Sequence, residues 1–151
     1  MESLLALRDI NLKILSLQHT AFSNSRELRL FPGLEALYVN NTELSDLEGL
    51  SELLRLRVAF LSHTMVADLQ PLRELKRLEI LVISHTQVRD LTPLVSLAGL
   101  RELHVDSTEV VDLTPLRMLR QLQELHLGSM EIYDAEVLRE LDQRGVALYS
   151  H

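Results

Sequence analysis

The chain has 151 residues, 46% hydrophobic, 25% charged and 4% aromatic, with a formal net charge of -7. That length and apolar content suit one domain with a buried core, and the absence of cysteine excludes disulfides, thiolate metal sites and cysteine nucleophiles. Acids and bases are interspersed rather than gathered in blocks, which argues against a nucleic-acid partner, because phosphate binding needs a clustered basic surface.

The opening Met-Glu-Ser lacks the basic n-region of a signal peptide, and no apolar run is long enough to cross a bilayer. A cytoplasmic location and no membrane partner are the expectations. An apolar cluster of Leu4, Leu5, Leu7 and Ile10 precedes the first strand pattern. From there leucines recur at 12, 34, 56, 78, 100 and 122, a constant step of 22 residues. Three places on stand Leu15, Leu37, Ala59, Leu81, Leu103 and Leu125, and two further Leu17, Val39, Leu61, Ile83, Val105 and Leu127. The unit L-x-x-L-x-L alternates as a strand with one buried face does.

After each strand the pattern continues. Thr20, Thr42, Thr64, Thr86 and Thr108 hold one place, taken by Met130 in the last unit. Phe22, Leu44, Val66, Val88, Val110 and Ile132 form a second apolar column. Then come Asn24, Asp46, Asp68, Asp90, Asp112 and Asp134, whose side chains can accept the free amide protons that begin a helical turn. Pro71, Pro93 and Pro115 follow, inside a first turn where a missing N–H costs nothing. So little chain remains per unit that short 3₁₀ or single α turns are predicted opposite the strands. The last unit differs: Ala135 to Leu141 reads as a true helix stopped by Gly145, and Val146-Ala147-Leu148-Tyr149 as a closing seventh strand before Ser150 and His151.

These six units, covering nearly the whole chain, resemble the leucine-rich-repeat family, specifically its 22-residue, internalin-like type. The resemblance implies an α/β, right-handed solenoid with a curved parallel β-sheet on its concave face, short turns on its convex face, and a role in protein recognition rather than catalysis. One domain over 1–151 is expected, with units 12–33, 34–55, 56–77, 78–99, 100–121 and 122–143 and a C-terminal helix-strand cap over about 135–151. The asparagine usual after the strand is Thr here; its hydroxyl can satisfy a buried backbone group, so this column reads as structural. Solenoids need polar capping units, and none is evident at the start. Either Ser3 begins a short covering helix, or the edge at Leu12, Leu15 and Leu17 serves association, self-association included, or the chain is a fragment of a longer one.

Residues between the buried leucines point out of the sheet. The central outward column is Ser16, Tyr38, Phe60, Val82, His104 and His126. Before it run Ile14, Ala36, Val58, Ile80, Glu102 and Glu124, and after it Gln18, Asn40, Ser62, Ser84, Asp106 and Gly128. Tyr38, Val58, Phe60, Ile80 and Val82 are therefore expected to form an exposed apolar patch with a polar rim, the look of a protein-binding surface. Glu102, His104, Asp106, Glu124 and His126 are expected to extend it as an acidic rim that selects a basic partner segment. Their side chains suit zinc, but no pocket is derivable, and no metal or cofactor is expected. His19, His63 and His85 read as copies at the strand exit rather than ligands. Ser62-His63 and Ser84-His85 should point to opposite sides of a strand, which is poor geometry for a base and its nucleophile. The expected function is recognition of a protein or peptide on the concave face, without catalysis. A structural subunit, held by the N-terminal edge or the apolar patch, is the alternative.

Overall fold

A computed structural model describes residues 3–130 and 134–150. Met1, Glu2, His151 and the Ile132 of the second apolar column lie outside the described residues. The alternating triplets form β1 (Ile14–Ser16), β2 (Ala36–Tyr38), β3 (Val58–Phe60), β4 (Ile80–Val82), β5 (Glu102–His104) and β6 (Glu124–Gly128), and β7 (Ala147–Ser150) closes the series. All seven pair in parallel, in chain order, as one sheet. Leu15, Leu37, Ala59, Leu81, Leu103, Leu125 and Leu148 are register partners. A step of 22 residues therefore carries the chain to the same place on the next strand. Six of these seven side chains are buried, with Leu148 partly so.

The other side of the core is closed by short 3₁₀ turns at Ser25–Leu30, Glu48–Leu50, Gln70–Leu72, Thr92–Ser96 and Thr114–Met118, as the shortness of the unit requires. The aspartate column starts them. Asp68, Asp90 and Asp112 accept from the N–H groups of Gln70, Thr92 and Thr114, each at 2.8 Å. Hydrogen bonding by Thr92 and Thr114 holds the Asp90 and Asp112 carboxyls below the usual carboxylate range. Asp134 breaks the pattern by accepting from Leu113 of the preceding unit at 2.6 Å, which ties the last turn to the one before.

Helix α1 (Ala135–Gln143) buries Val137 and Leu141. Gly145, at φ 84°, ends it: its N–H reaches Asp142 O at 2.8 Å while Val146 N–H reaches Leu141 O at 3.0 Å. That paired arrangement needs a left-handed residue at the crossing point and returns the chain into β7.

At the other end Ser3 does start a short turn, the 3₁₀ segment Leu4–Leu7. Its hydroxyl accepts from Leu5 N–H at 3.2 Å and donates to Glu27 at 3.0 Å, and Leu4 N–H donates to the same carboxylate at 2.6 Å. The turn packs beside the 3₁₀ turn Ser25–Leu30, and its Leu4 is buried in the core. Ile14 of β1 remains 66% exposed.

The exits of β1 to β5 share one device. The hydroxyls of Thr20, Thr42, Thr64, Thr86 and Thr108 donate to the carbonyls three residues back at 2.6–2.8 Å. Just before them His19, Asn41, His63, His85 and Ser107 all adopt positive φ, between 54° and 56°. That conformation costs an L-residue about 1–2 kcal/mol, less for Asn, which bonds locally, and most for a β-branched side chain. Thr86→Ala should lower stability by about 1–3 kcal/mol, since the Ile83 carbonyl loses its partner. His85→Val should be destabilising while His85→Asn is close to neutral. Urea denaturation monitored by circular dichroism checks both, and equal midpoints for the Val and Asn variants would remove the strain argument.

Candidate functional site on the open face of the sheet

The outward columns form as laid out by the repeat: Ile14, Ala36, Val58, Ile80, Glu102, Glu124 in one ladder, and Ser16, Tyr38, Phe60, Val82, His104, His126 in the next. The second ladder has a seventh member that the sequence reading did not include. Tyr149 pairs with His126, following Leu148 as His126 follows Leu125. The Tyr38 and Phe60 rings meet at 5.1 Å and 38°, a tilted contact favoured by aromatic quadrupoles. Tyr38, Val58, Phe60 and Ile80 are each half-buried.

Val82 corrects the expected patch. It is buried, with only 7% of its surface exposed, and Ala36 is similar at 8%. Strands about 4.8 Å apart place Phe60 and His104 on either side of Val82, and those longer side chains cover the shorter one. The accessible apolar surface is therefore Tyr38, Val58, Phe60 and Ile80. Its polar border is internally bonded: Asn40 accepts from Ser62 N–H at 3.1 Å, and the buried Ser84 hydroxyl donates to Asp106 at 2.5 Å.

Beyond Val82 the face turns acidic and imidazole-rich. His104 and His126 stack at 3.7 Å and 5°, and Tyr149 stacks on the far side of His126 at 4.3 Å and 10°. His104 Nε2 lies 2.7 Å from Glu102 Oε1, and His126 Nε2 lies 3.5 Å from Glu124 Oε2. One ligand atom each from Glu102, His104 and His126 falls within a span of 4.8 Å.

His63 and His85, both exposed, also stack, at 4.1 Å and 12°. The expected opposition of Ser84 and His85 does not hold. Positive φ takes His85 off the strand, and its Nε2 comes within 3.9 Å of Asp106 Oδ2, on the carboxylate that Ser84 already engages. The Ser84 hydroxyl faces that carboxylate rather than the imidazole, so no base stands over a nucleophile.

A groove on the strands' entry side went unforeseen. Arg55, Arg57, Lys76, Arg77 and Arg101 line about 570 Å³ together with Glu35 and Glu79. Arg57 pairs with Glu79 at 2.9 Å, and that hydrogen bond holds the Glu79 carboxyl below its usual range. Cations dispersed along the sequence are thus gathered by the 22-residue step into one surface. The surface appears only when the stretches at 55–57, 76–77 and 101 are laid side by side in the repeat.

Stacked strands, 3₁₀ turns and the threonine-pinned exits together define a leucine-rich-repeat solenoid of the short, internalin-like type. The fold is similar to that of an internalin from Listeria monocytogenes, at 28% sequence identity and a TM-score of 0.86, over 97% of this chain and 43% of that one. It also resembles internalin C2 of the same organism (23% identity, TM-score 0.68, 90% and 69% of the two chains) and a leucine-rich-repeat protein of Leptospira interrogans (22%, 0.67, 95% and 43%). The chain thus spans less than half the length of the first of these proteins. No protein-family model and no curated protein matches the sequence. Among the described residues, no helix is long and apolar enough to cross a membrane.

Proposed function

We propose that this chain is a protein-recognition module that takes a protein or peptide partner along the open, concave face of its sheet and performs no catalysis. The observation that carries the reading is the Tyr38–Phe60 pair, two of the chain's six Phe and Tyr residues, set in contact at 5.1 Å in the outward column. Val58 and Ile80 flank it, and Glu102, His104, Asp106, Glu124 and His126 continue the surface as a polar extension. Half-buried aromatics with a bonded polar border are how protein interfaces concentrate binding energy. A protein-binding role is also typical of the family to which the solved neighbours belong.

A photo-crosslinking amino acid in place of Phe60, and separately of Met118, which is 59% exposed on the opposite side, tests the placement in a lysate of the native host. One discrete protein crosslinked at 60 and absent at 118 supports it. The reverse pattern moves the site to the convex side. A second reading, a subunit held in an assembly by the N-terminal edge, rests on Ile14, Leu5 and Ile10, exposed at 66%, 51% and 51%. It requires crosslinks from position 14 into a large complex or a second copy.

A further inference from the structure

We propose that Glu102, His104, Glu124 and His126 form a binding site for a divalent transition-metal ion, zinc above all, on the open face of β5 and β6. The sequence repeats a Glu-Leu-His triplet at 102–104 and again at 124–126. Strand alternation puts Glu and His of each triplet on the same face, and parallel pairing sets Glu102 beside Glu124 and His104 beside His126. Four ligand-type side chains from two neighbouring strands therefore share one patch of surface. The fold makes that juxtaposition unavoidable once the triplet is copied.

The atomic arrangement goes further than the register. The ligand atoms of Glu102, His104 and His126 already lie within 4.8 Å of one another. Two donors bound to one zinc at about 2.1 Å stand roughly 3.4 Å apart in a tetrahedron, so closing the set asks for a movement of about an ångström, within the reach of glutamate rotamers. Glu124, 45% exposed in its side chain and 3.5 Å from His126, is the looser fourth member. The histidines are better fixed. The His126 ring is held between His104 and Tyr149, and Val82 stands on the outer side of His104. The side chains of His104, His126 and Glu102 keep only 23%, 27% and 30% of their exposure.

Charge favours an ion over two separate Glu–His hydrogen bonds. Imidazole binds a metal ion in its neutral form. Two neutral imidazoles, two carboxylates and one dication sum to zero. Each neutral ring ligates through the nitrogen that carries no proton and holds its single N–H on the other, so the rings lose no proton on binding. Imidazole with carboxylate, and no thiolate, selects zinc and its transition-metal neighbours over calcium and magnesium, which prefer all-oxygen sites. The other imidazole stack, His63–His85, lies near Asp106, whose Oδ1 is occupied by Ser84. It is the natural control.

The inference is independent of the recognition reading, because it is measured on the isolated chain with metal alone. Tag-free protein stripped of metal is titrated with zinc chloride by calorimetry, and cobalt(II) is followed by its visible d–d absorption. The expected result is one equivalent bound, weakened about tenfold or more by His104→Ala, His126→Ala or Glu102→Gln and unchanged in the His63→Asn/His85→Asn double variant. Should a variant fail to fold, ¹⁵N spectra of the unaltered protein's imidazoles decide. Zinc-induced shifts confined to His104 and His126 support the site. Shifts centred on His63 and His85, or no stoichiometric binding, overturn it.

Discussion

Leu103→Ala will cost the fold about 2–5 kcal/mol, the loss typical of a leucine truncated where the surroundings cannot collapse. Leu103 is fully buried on β5, in register with Leu81 on β4 and Leu125 on β6. Parallel strands joined by hydrogen bonds on both sides cannot move together to close the space. In a solenoid each unit touches only its neighbours, so the damage stays within the three strands that share the cavity. Leu81→Ala should cost a similar amount. The double variant should depart from additivity, because the two cavities adjoin. Urea titration by circular dichroism measures all three, and losses below about 1 kcal/mol at both sites would show that these leucines do not carry the core.

The register behind that expectation was readable from the chain because the repeat period locks every position to a place in space. Once Leu12, Leu34 and Leu56 fix a step of 22 residues, the buried ladder, the outward columns, the threonine exits and the aspartates that start the turns follow from alternation and hydrogen-bond demand. The closing helix and its Gly145 stop were legible for the same local reasons. What lay beyond reach depends on how columns interact. Val82 alternates outward as Phe60 does, yet the neighbouring Phe60 and His104 bury it, which is a matter of side-chain length across strands rather than of period. The shared positive φ of His19, His63 and His85 leaves a faint trace in sequence. Asn41 and Ser107 fill the same column, and Asn with His is enriched in left-handed backbone. The basic groove was hidden because its cations come from three separate stretches of chain, at 55–57, 76–77 and 101, so local charge balance conceals a regional excess.

Truncating the aromatic pair should separate binding from folding. Phe60 and Tyr38 are half-buried and in mutual contact, so Phe60→Ala should lower stability by about 1–2 kcal/mol through lost apolar area and the ring pair. That loss is real but smaller than the cost expected at Leu103, and the protein should remain folded at ordinary temperature. Partner binding should fall much more steeply. Aromatics near the centre of an interface commonly contribute about 2 kcal/mol or more to truncation costs, so Phe60→Ala should weaken affinity about tenfold or beyond. Adding Tyr38→Ala should weaken it further, though by less than the sum, because the rings share a contact. Glu102→Gln should act mainly on association rate and its salt dependence, as charges at an interface rim do. Met118→Ala, on the opposite side, should leave binding as it was. The measurement is surface plasmon resonance against the protein captured by the position-60 crosslink, well below each variant's melting temperature. Unchanged affinity in a folded Phe60→Ala/Tyr38→Ala protein would take the site off this face, leaving the basic groove or the β1 edge to hold the partner.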